Sequence, residues 1–292
     1  MDEGNFRLGA ALMIATSFVF AMQDGISRHL AGEYNVFMVV MVRYWFFAAF
    51  VTVLALRRAG GLGVVLRPRF PVLQVFRGLL LAAEICVMVT GFTLLGLVES
   101  HAVFACYPLL IAALSGPVLG ERVGWRRWAA IGIGFAGVMV ILQPGFRVFS
   151  PQALIPLAAA FMFALYGLLT RYVARGDRSA VSFFWTGIAG AVAMTAVGLS
   201  YWQPMIPRDW VWMAILCCSA ALGHWLMIRA LELAEASAIQ PFAYLQLVFA
   251  SALGMLVFDE VLRPNVVVGA AIVVGAGLFT LLRSRKVRAR RS

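Results

Sequence analysis

Residues 18–31 read FVFAMQDGISRHLA, and residues 161–174 read FMFALYGLLTRYVA. The two stretches place aromatic, small and basic residues in the same register 143 positions apart, and they differ where the first carries Asp24 and the second Gly167. The echo continues downstream. LVESHAVFACYPLLIAALSGPVLGERV (97–123) is matched by LAEASAIQPFAYLQLVFASALGMLVFDEVL (233–262), setting Glu99 against Glu235 and Glu121 against Glu260. The helix after each copy carries a glycine, Gly137 and Gly277. A chain that repeats itself halfway along is built on one scaffold used twice, and the positions where the copies differ are the candidates for chemistry.

The scaffold is read from composition. Of the 292 residues, 63% are hydrophobic and 13% are charged, whereas a soluble domain carries about 25% charged residues. Apolar segments punctuated by Gly, Pro or Arg fall at 8–29, 36–56, 72–95, 100–119, 127–142, 151–173, 181–202, 209–230, 237–258 and 264–282. Each is near the length needed to span a bilayer, so an all-α integral membrane protein of ten transmembrane helices is expected. Pro151 and Pro264 suit the first turns of the sixth and tenth helices. Five helices per copy is an odd number, so the second copy must enter the membrane upside down relative to the first. The expected organisation is a first five-helix repeat over 1–145, an inverted second repeat over 146–284, and a basic tail over 285–292.

The net charge of +11 is a membrane signature here rather than a nucleic-acid one, because the basic residues lie in the short segments between apolar runs. With a cytoplasmic N-terminus, 19 Lys and Arg fall on the cytoplasmic side and 4 on the other, Arg43 completing the 24 from inside helix two. Both termini are therefore expected in the cytoplasm of a bacterial inner membrane. The tail from Arg283 to Arg291 is expected to touch anionic headgroups. The N-terminal apolar run is too long for a signal-peptide core. Cys86, Cys106, Cys217 and Cys218 lie within apolar runs at no disulfide or metal spacing and read as small core residues.

Motifs exclude several classes. GIGFAG at 132–137 matches a dinucleotide fingerprint literally, but no strand precedes it and no acidic partner follows it. Close helix packing through small residues accounts for it, as for GAAIVVGAG at 269–277. HExxH, GxSxG and the Walker P-loop do not occur, so no enzyme chemistry, metal or cofactor is expected.

Ionisable groups inside spans are costly and mark function or pairing. Those here are Asp24, Arg43, Glu84 and His224, with Arg28, His29, Glu99 and His101 near helix ends. At about 1.5 Å rise per residue, Asp24 lies roughly 24 Å along helix one, Glu84 roughly 18 Å into helix three, and Arg43 about 10 Å from the far side. The three can share one half of the membrane. Either Arg43 pairs with Asp24 or Glu84 as a structural tie, or it faces a cavity and meets a substrate carboxylate. The second copy offers aromatic and amide groups instead. Trp45, Tyr107, Tyr166, Trp185, His224, Trp225 and Gln246 are candidates to line a solute cavity, a mixture of apolar faces and polar tips that suits an amphipathic organic ligand. His224 reads equally as a packed core residue.

The paired segments VFACYPLLIAALSGPVLGERV and QPFAYLQLVFASALGMLVFDEVL, each followed by a glycine-containing final helix, resemble the EamA repeats of the drug/metabolite transporter superfamily. Within it the chain looks most like YddG-type exporters of aromatic and other amino acids. The resemblance covers essentially the whole chain. It implies a secondary transporter that exports amphipathic small solutes, amino acids among them, by alternating access between the repeats, as a monomer or weak oligomer. The small four-helix members place an essential Glu in their first helix. Asp24 lies nearer the outer end, which argues against carrying over their proton-exchange mechanism. Efflux of drugs or cationic metabolites is the alternative within the superfamily, and it would want an unpaired cavity carboxylate. A membrane enzyme or scaffold is disfavoured by the repeat and by the missing motifs.

Overall fold

The computed structural model describes residues 3–57, 61–120, 124–142, 151–233 and 240–289. Among these residues every regular element is a helix. That is the outcome expected of an apolar chain in lipid, where each backbone amide must find its partner within its own segment. In chain order they are α1 (Glu3–Glu33), α2 (Val36–Arg57), the short α3 (Gly61–Val65), α4 (Pro71–Leu95), α5 (Leu97–Phe104), α6 (Tyr107–Leu119) and α7 (Trp125–Leu142). Then follow a 3-10 turn at Pro151–Ala153, α8 (Leu154–Val173), α9 (Ser179–Gly198), α10 (Pro207–Leu233), a 3-10 stretch at Gln240–Tyr244, α11 (Leu245–Val257) and α12 (Pro264–Ala289). Pro71, Pro207 and Pro264 open their helices, where the missing N–H costs nothing.

The apolar segments occupy the expected places, but they are not ten equal spans. Seven helical segments are long and apolar enough to cross a membrane, among them Leu97–Leu119, which α5 and α6 form together. Trp128–Leu142, Phe242–Val257 and Pro264–Thr280 are shorter apolar helices. The expected continuous helices over 100–119 and 237–258 are both interrupted, the first at Ala105–Cys106 and the second by the 3-10 stretch before Leu245. Glu121, Glu235 and the side chains of the basic tail lie outside the described residues.

Packing partners exchange between the halves. α1 packs along α10 as α8 packs along α4, and α1 meets α11 as α8 meets α6. α2 packs on its counterpart α9, and α7 on its counterpart α12. An exchange of this kind is what a two-fold relation between the halves produces. Both self-paired contacts are made close by glycine. A Cβ at Gly137 would come within 2.9 Å of the Gly269 carbonyl, and one at Gly269 within 3.0 Å of the Ile141 amide. The motif at 132–137 is therefore a helix contact, as its apolar setting implied. On α9, Gly187 faces Val51 and Phe47, and Gly198 faces Met41, with no room for a side chain.

Candidate functional site: a cavity between two helix breaks

The two interruptions face each other. In the first, Pro108 has no N–H to return to the Phe104 carbonyl, so Cys106 N–H instead donates to Val103 at 3.1 Å, and the Leu109 and Leu110 amides both turn to the Cys106 carbonyl. The helix restarts at Tyr107. In the second half the α-helix begins at Leu245, after a 3-10 stretch that holds the matching Phe242-Ala243 pair, and α6 and α11 each run 13 residues. Between the breaks lies a cavity of about 440 Å³, counted with its open mouth, lined by His101, Phe104, Tyr107, Tyr244 and Gln246. Broken helices at depth are tolerated where they line such a space.

Asp24, on α1, reaches two residues of this wall. Its Oδ2 accepts a hydrogen bond from Gln246 Nε2 at 2.9 Å and lies 3.2 Å from His101 Nε2. His101 is buried and stacks on Phe92 with ring centroids 5.1 Å apart. The Tyr244 hydroxyl is also buried, with no hydrogen-bond partner among the described residues. At the matching position of the second copy, a Cβ on Gly167 would meet only Ile111, at 3.7 Å. The difference between the opening stretches thus marks the copy whose carboxylate bonds to Gln246 and approaches His101 of the cavity wall.

A second cavity of similar size is lined by Arg43, Tyr44, Phe47, Ile85, Cys217 and His224. Among the described residues Arg43 makes no ion pair or hydrogen bond, and neither does Glu84, which is 4% exposed. Glu84 lies within electrostatic reach of both Asp24 and Arg43. The expected contact pair of Arg43 with Asp24 or Glu84 is therefore not formed. Asp24 has taken Gln246 and His101 instead, because both project from the helix-break region that α1 packs against. His224 combines its two readings: it borders this cavity, and its ring packs edge-on against Phe20 at 5.6 Å and Phe47 at 6.2 Å.

Four of the other candidates line neither cavity. Trp45 is 38% exposed, donates to Thr195 Oγ1 and stacks on Trp202. Trp225 is 55% exposed on the outer surface of α10. Trp185 is tied by its indole N–H to the Val65 carbonyl at 2.9 Å, holding α3 against α9. The amphipathic indoles are used as belt and staple, the commoner fate of Trp in such proteins. Tyr166 packs its ring on Arg77, 5.1 Å from the guanidinium.

Arg77, counted above with the cytoplasmic charges, turns into the bundle near the start of α4. It is 1% exposed within α4. Its NH1 donates to Thr170 Oγ1 and its NH2 to Gln74 Oε1, the Ser182 carbonyl and Thr186 Oγ1. Gln74 passes the network on to Asp177, whose carboxylate also receives the Arg69 amide at 2.6 Å. This cluster ties α4, α8 and α9 together at the end opposite the Asp24 site.

Comparison with known proteins fits this architecture. The profile described as "EamA-like transporter family" matches twice, over residues 7–143 and 151–282. The S-adenosylmethionine uptake transporter of Rickettsia prowazekii (strain Madrid E) is 26% identical over 266 residues, 91% of this chain and 90% of that one. The riboflavin transporter of Vibrio cholerae serotype O1 (strain ATCC 39315 / El Tor Inaba N16961) is 26% identical, covering 97% of this chain and 96% of its own. The pseudopaline exporter of Pseudomonas aeruginosa (strain UCBPP-PA14) is 22% identical, covering 96% and 98%. A solved crystal structure shares the fold with a TM-score of 0.63 at 19% identity, covering 98% of this chain and 99% of that one. These relatives are named as transporters rather than enzymes. With two matches that together span nearly the whole sequence, the chain belongs to the EamA-like transporter family, as a multi-pass membrane transporter.

Proposed function

We propose that the chain carries small amphipathic solutes with an amino-acid-like charged head, aromatic amino acids included, by alternating access between its two repeats. Export is the direction we assign, with both termini in the cytoplasm. The observation that carries this reading is Arg43. It is a guanidinium inside the bundle with no ion pair among the described residues, beside a cavity whose other walls are Phe47, Ile85 and Tyr44. A solute carboxylate would satisfy it bidentately, and the aromatic faces would take an apolar side chain. The first cavity would hold the opposite end of the solute through Gln246, His101 and Tyr244.

The relatives are named for S-adenosylmethionine, riboflavin and pseudopaline. Ring-bearing or charged organic solutes of that kind support a cavity of mixed apolar and polar character. A cationic solute is the second reading, favoured by Glu84, whose buried carboxylate has no partner among the described residues. Counterflow in proteoliposomes separates the two. Arg43→Gln is expected to weaken transport of amino acids at least about tenfold more than transport of the corresponding amines, the loss of one charge-assisted contact. Equal loss for both would make Arg43 structural. Loss of amine transport in Glu84→Gln with amino acids untouched would establish the cationic reading.

A further inference from the structure

The helices that build the Asp24 site meet again one turn further out. Arg28 follows Asp24 by four residues on α1, and Leu97 precedes His101 by four on α5. On each helix the two positions share a face about 6 Å apart. Between Arg28 and Leu97 sits the carboxylate of Glu260, from the segment that joins α11 to α12. Its Oε1 accepts the Leu97 amide at 2.7 Å, its Oε2 accepts the Val98 amide at 2.8 Å, and Arg28 donates to Oε1 as well. These amides open α5, where backbone donors are otherwise unpaired and the helix dipole favours an anion.

The seat is shaped for this side chain. Gly96 holds φ of +86°, and any Cβ there would strike the Glu260 carboxylate. A Cβ at Gly254 would meet Oε2 at 2.8 Å. Asp259 turns with φ of 53°, and the Glu260 amide donates to the Gly254 carbonyl at 3.0 Å, which aims the carboxylate back at α5. The Arg28 guanidinium lies 4.0 Å over the Phe258 ring. By contrast, the neighbouring Arg263–Glu99 pair, at 3.3 Å and with Arg263 53% exposed, is an ordinary surface contact.

We propose that this clasp is the gate that closes the cavity toward the 258–263 segment. In the transport cycle Glu260 leaves Arg28 and the start of α5, and loading of the Asp24, His101 and Gln246 layer beneath loosens it. The inference rests on the transport reading above. The same three partners, α1, α5 and the α11 region, are joined in both layers, once through solute-facing groups and once through Glu260. A solute that takes Asp24 or His101 changes how α1 and the eight-residue α5 sit on α11. Among the described residues, Glu260 bonds both α1 and α5 from the segment that follows α11. Rupture of the clasp strands a carboxylate, a guanidinium and two amides, which is tolerable only where water can replace the lost partners. Opening is therefore directed toward the aqueous side.

The gate is tested by access. In a cysteine-free chain carrying Ala243→Cys at the cavity wall, a membrane-impermeant maleimide applied from the side of the 258–263 segment is expected to react slowly. Glu260→Gln is expected to raise that rate about ten- to hundredfold, the range for losing charge-assisted hydrogen bonds. An unchanged rate in a folded, monodisperse Glu260→Gln protein overturns the gate. A second arm keeps Glu260 and instead bridges Arg28→Cys to Phe258→Cys with a short reversible bis-thiosulfonate. Solute exchange is expected to stop on bridging and to return on reduction. Exchange that continues in the bridged protein overturns the gate even if Glu260→Gln fails to fold. If the unsubstituted chain moves no solute of the proposed class, the transport reading falls, and the maleimide rates still decide the gate.

Discussion

Asp24 and Gly167 occupy corresponding places, yet only Asp24 reaches polar partners. Replacing Asp24 by Asn keeps an acceptor for Gln246 and removes the charge beside His101. The expected result is a fall in turnover of about tenfold or more with normal insertion, since ionic groups held inside a bundle serve transport rather than stability. Flux per folded molecule in proteoliposomes measures it. Arg77 gives the opposite outcome. Arg77→Met leaves Gln74, Thr170, Thr186 and the Ser182 carbonyl without their common donor. At about 0.6 kcal/mol per interhelical bond, this costs about 2 kcal/mol of stability. A lower melting temperature with transport per folded molecule retained is expected; loss of turnover at unchanged stability would place Arg77 in the transport cycle. The sequence marks Asp24 as special, but its contacts with Gln246 and His101 are not among the pairings the sequence suggests. Depth along a helix can be counted from the sequence, whereas the direction in which a side chain leaves the helix toward its neighbours depends on packing. The burial of Arg77 is illegible for a related reason: the charge rule counts residues near helix ends and cannot see that one of them has turned inward.

At the scale of elements the decisive feature is the pair of breaks. Hydropathy counts methyl groups, and a break costs none of them, so 100–119 and 237–258 read as continuous spans. Pro108 was the visible signal, since it deprives Phe104 of a donor. Pro108→Ala is expected to supply the missing donor to Phe104 and join α5 to α6, with thermal stability changed by less than about 1 kcal/mol, because Pro108 stands in the first turn of α6 where its missing N–H costs little. Turnover is expected to fall, because the joined helix can no longer bend at the cavity. A variant equally fast would show that the break is incidental. The glycine contacts were legible in advance because small residues in an apolar run have one common physical use, close approach of backbones. What could not be read was which helix each glycine faces: α12 for Gly137, α2 for Gly187.

For the whole molecule, the repeat made the exchange of partners foreseeable. If two copies share one order of elements, the contact of α1 with α10 implies its counterpart, α8 with α4. Sidedness rests on charge, and reporter fusions in the 57–71 segment, which carries Arg57, Arg58, Arg67 and Arg69, are expected to report cytoplasm together with fusions at the C-terminus. Opposite locations would overturn the topology. One feature of the outer surface has a use in the laboratory. Trp45 stacks on Trp202 at 6.3 Å, Trp202 lies 6.3 Å from Trp210, and all three are exposed. The trio joins α2, the end of α9 and the start of α10, close to Tyr34 and Asp209 at the α1 terminus. The chain thereby carries its own optical gauge. In a variant whose other five tryptophans are replaced by Phe, indole emission, quenched by brominated lipid in one leaflet, follows this rim of the bundle without an added dye.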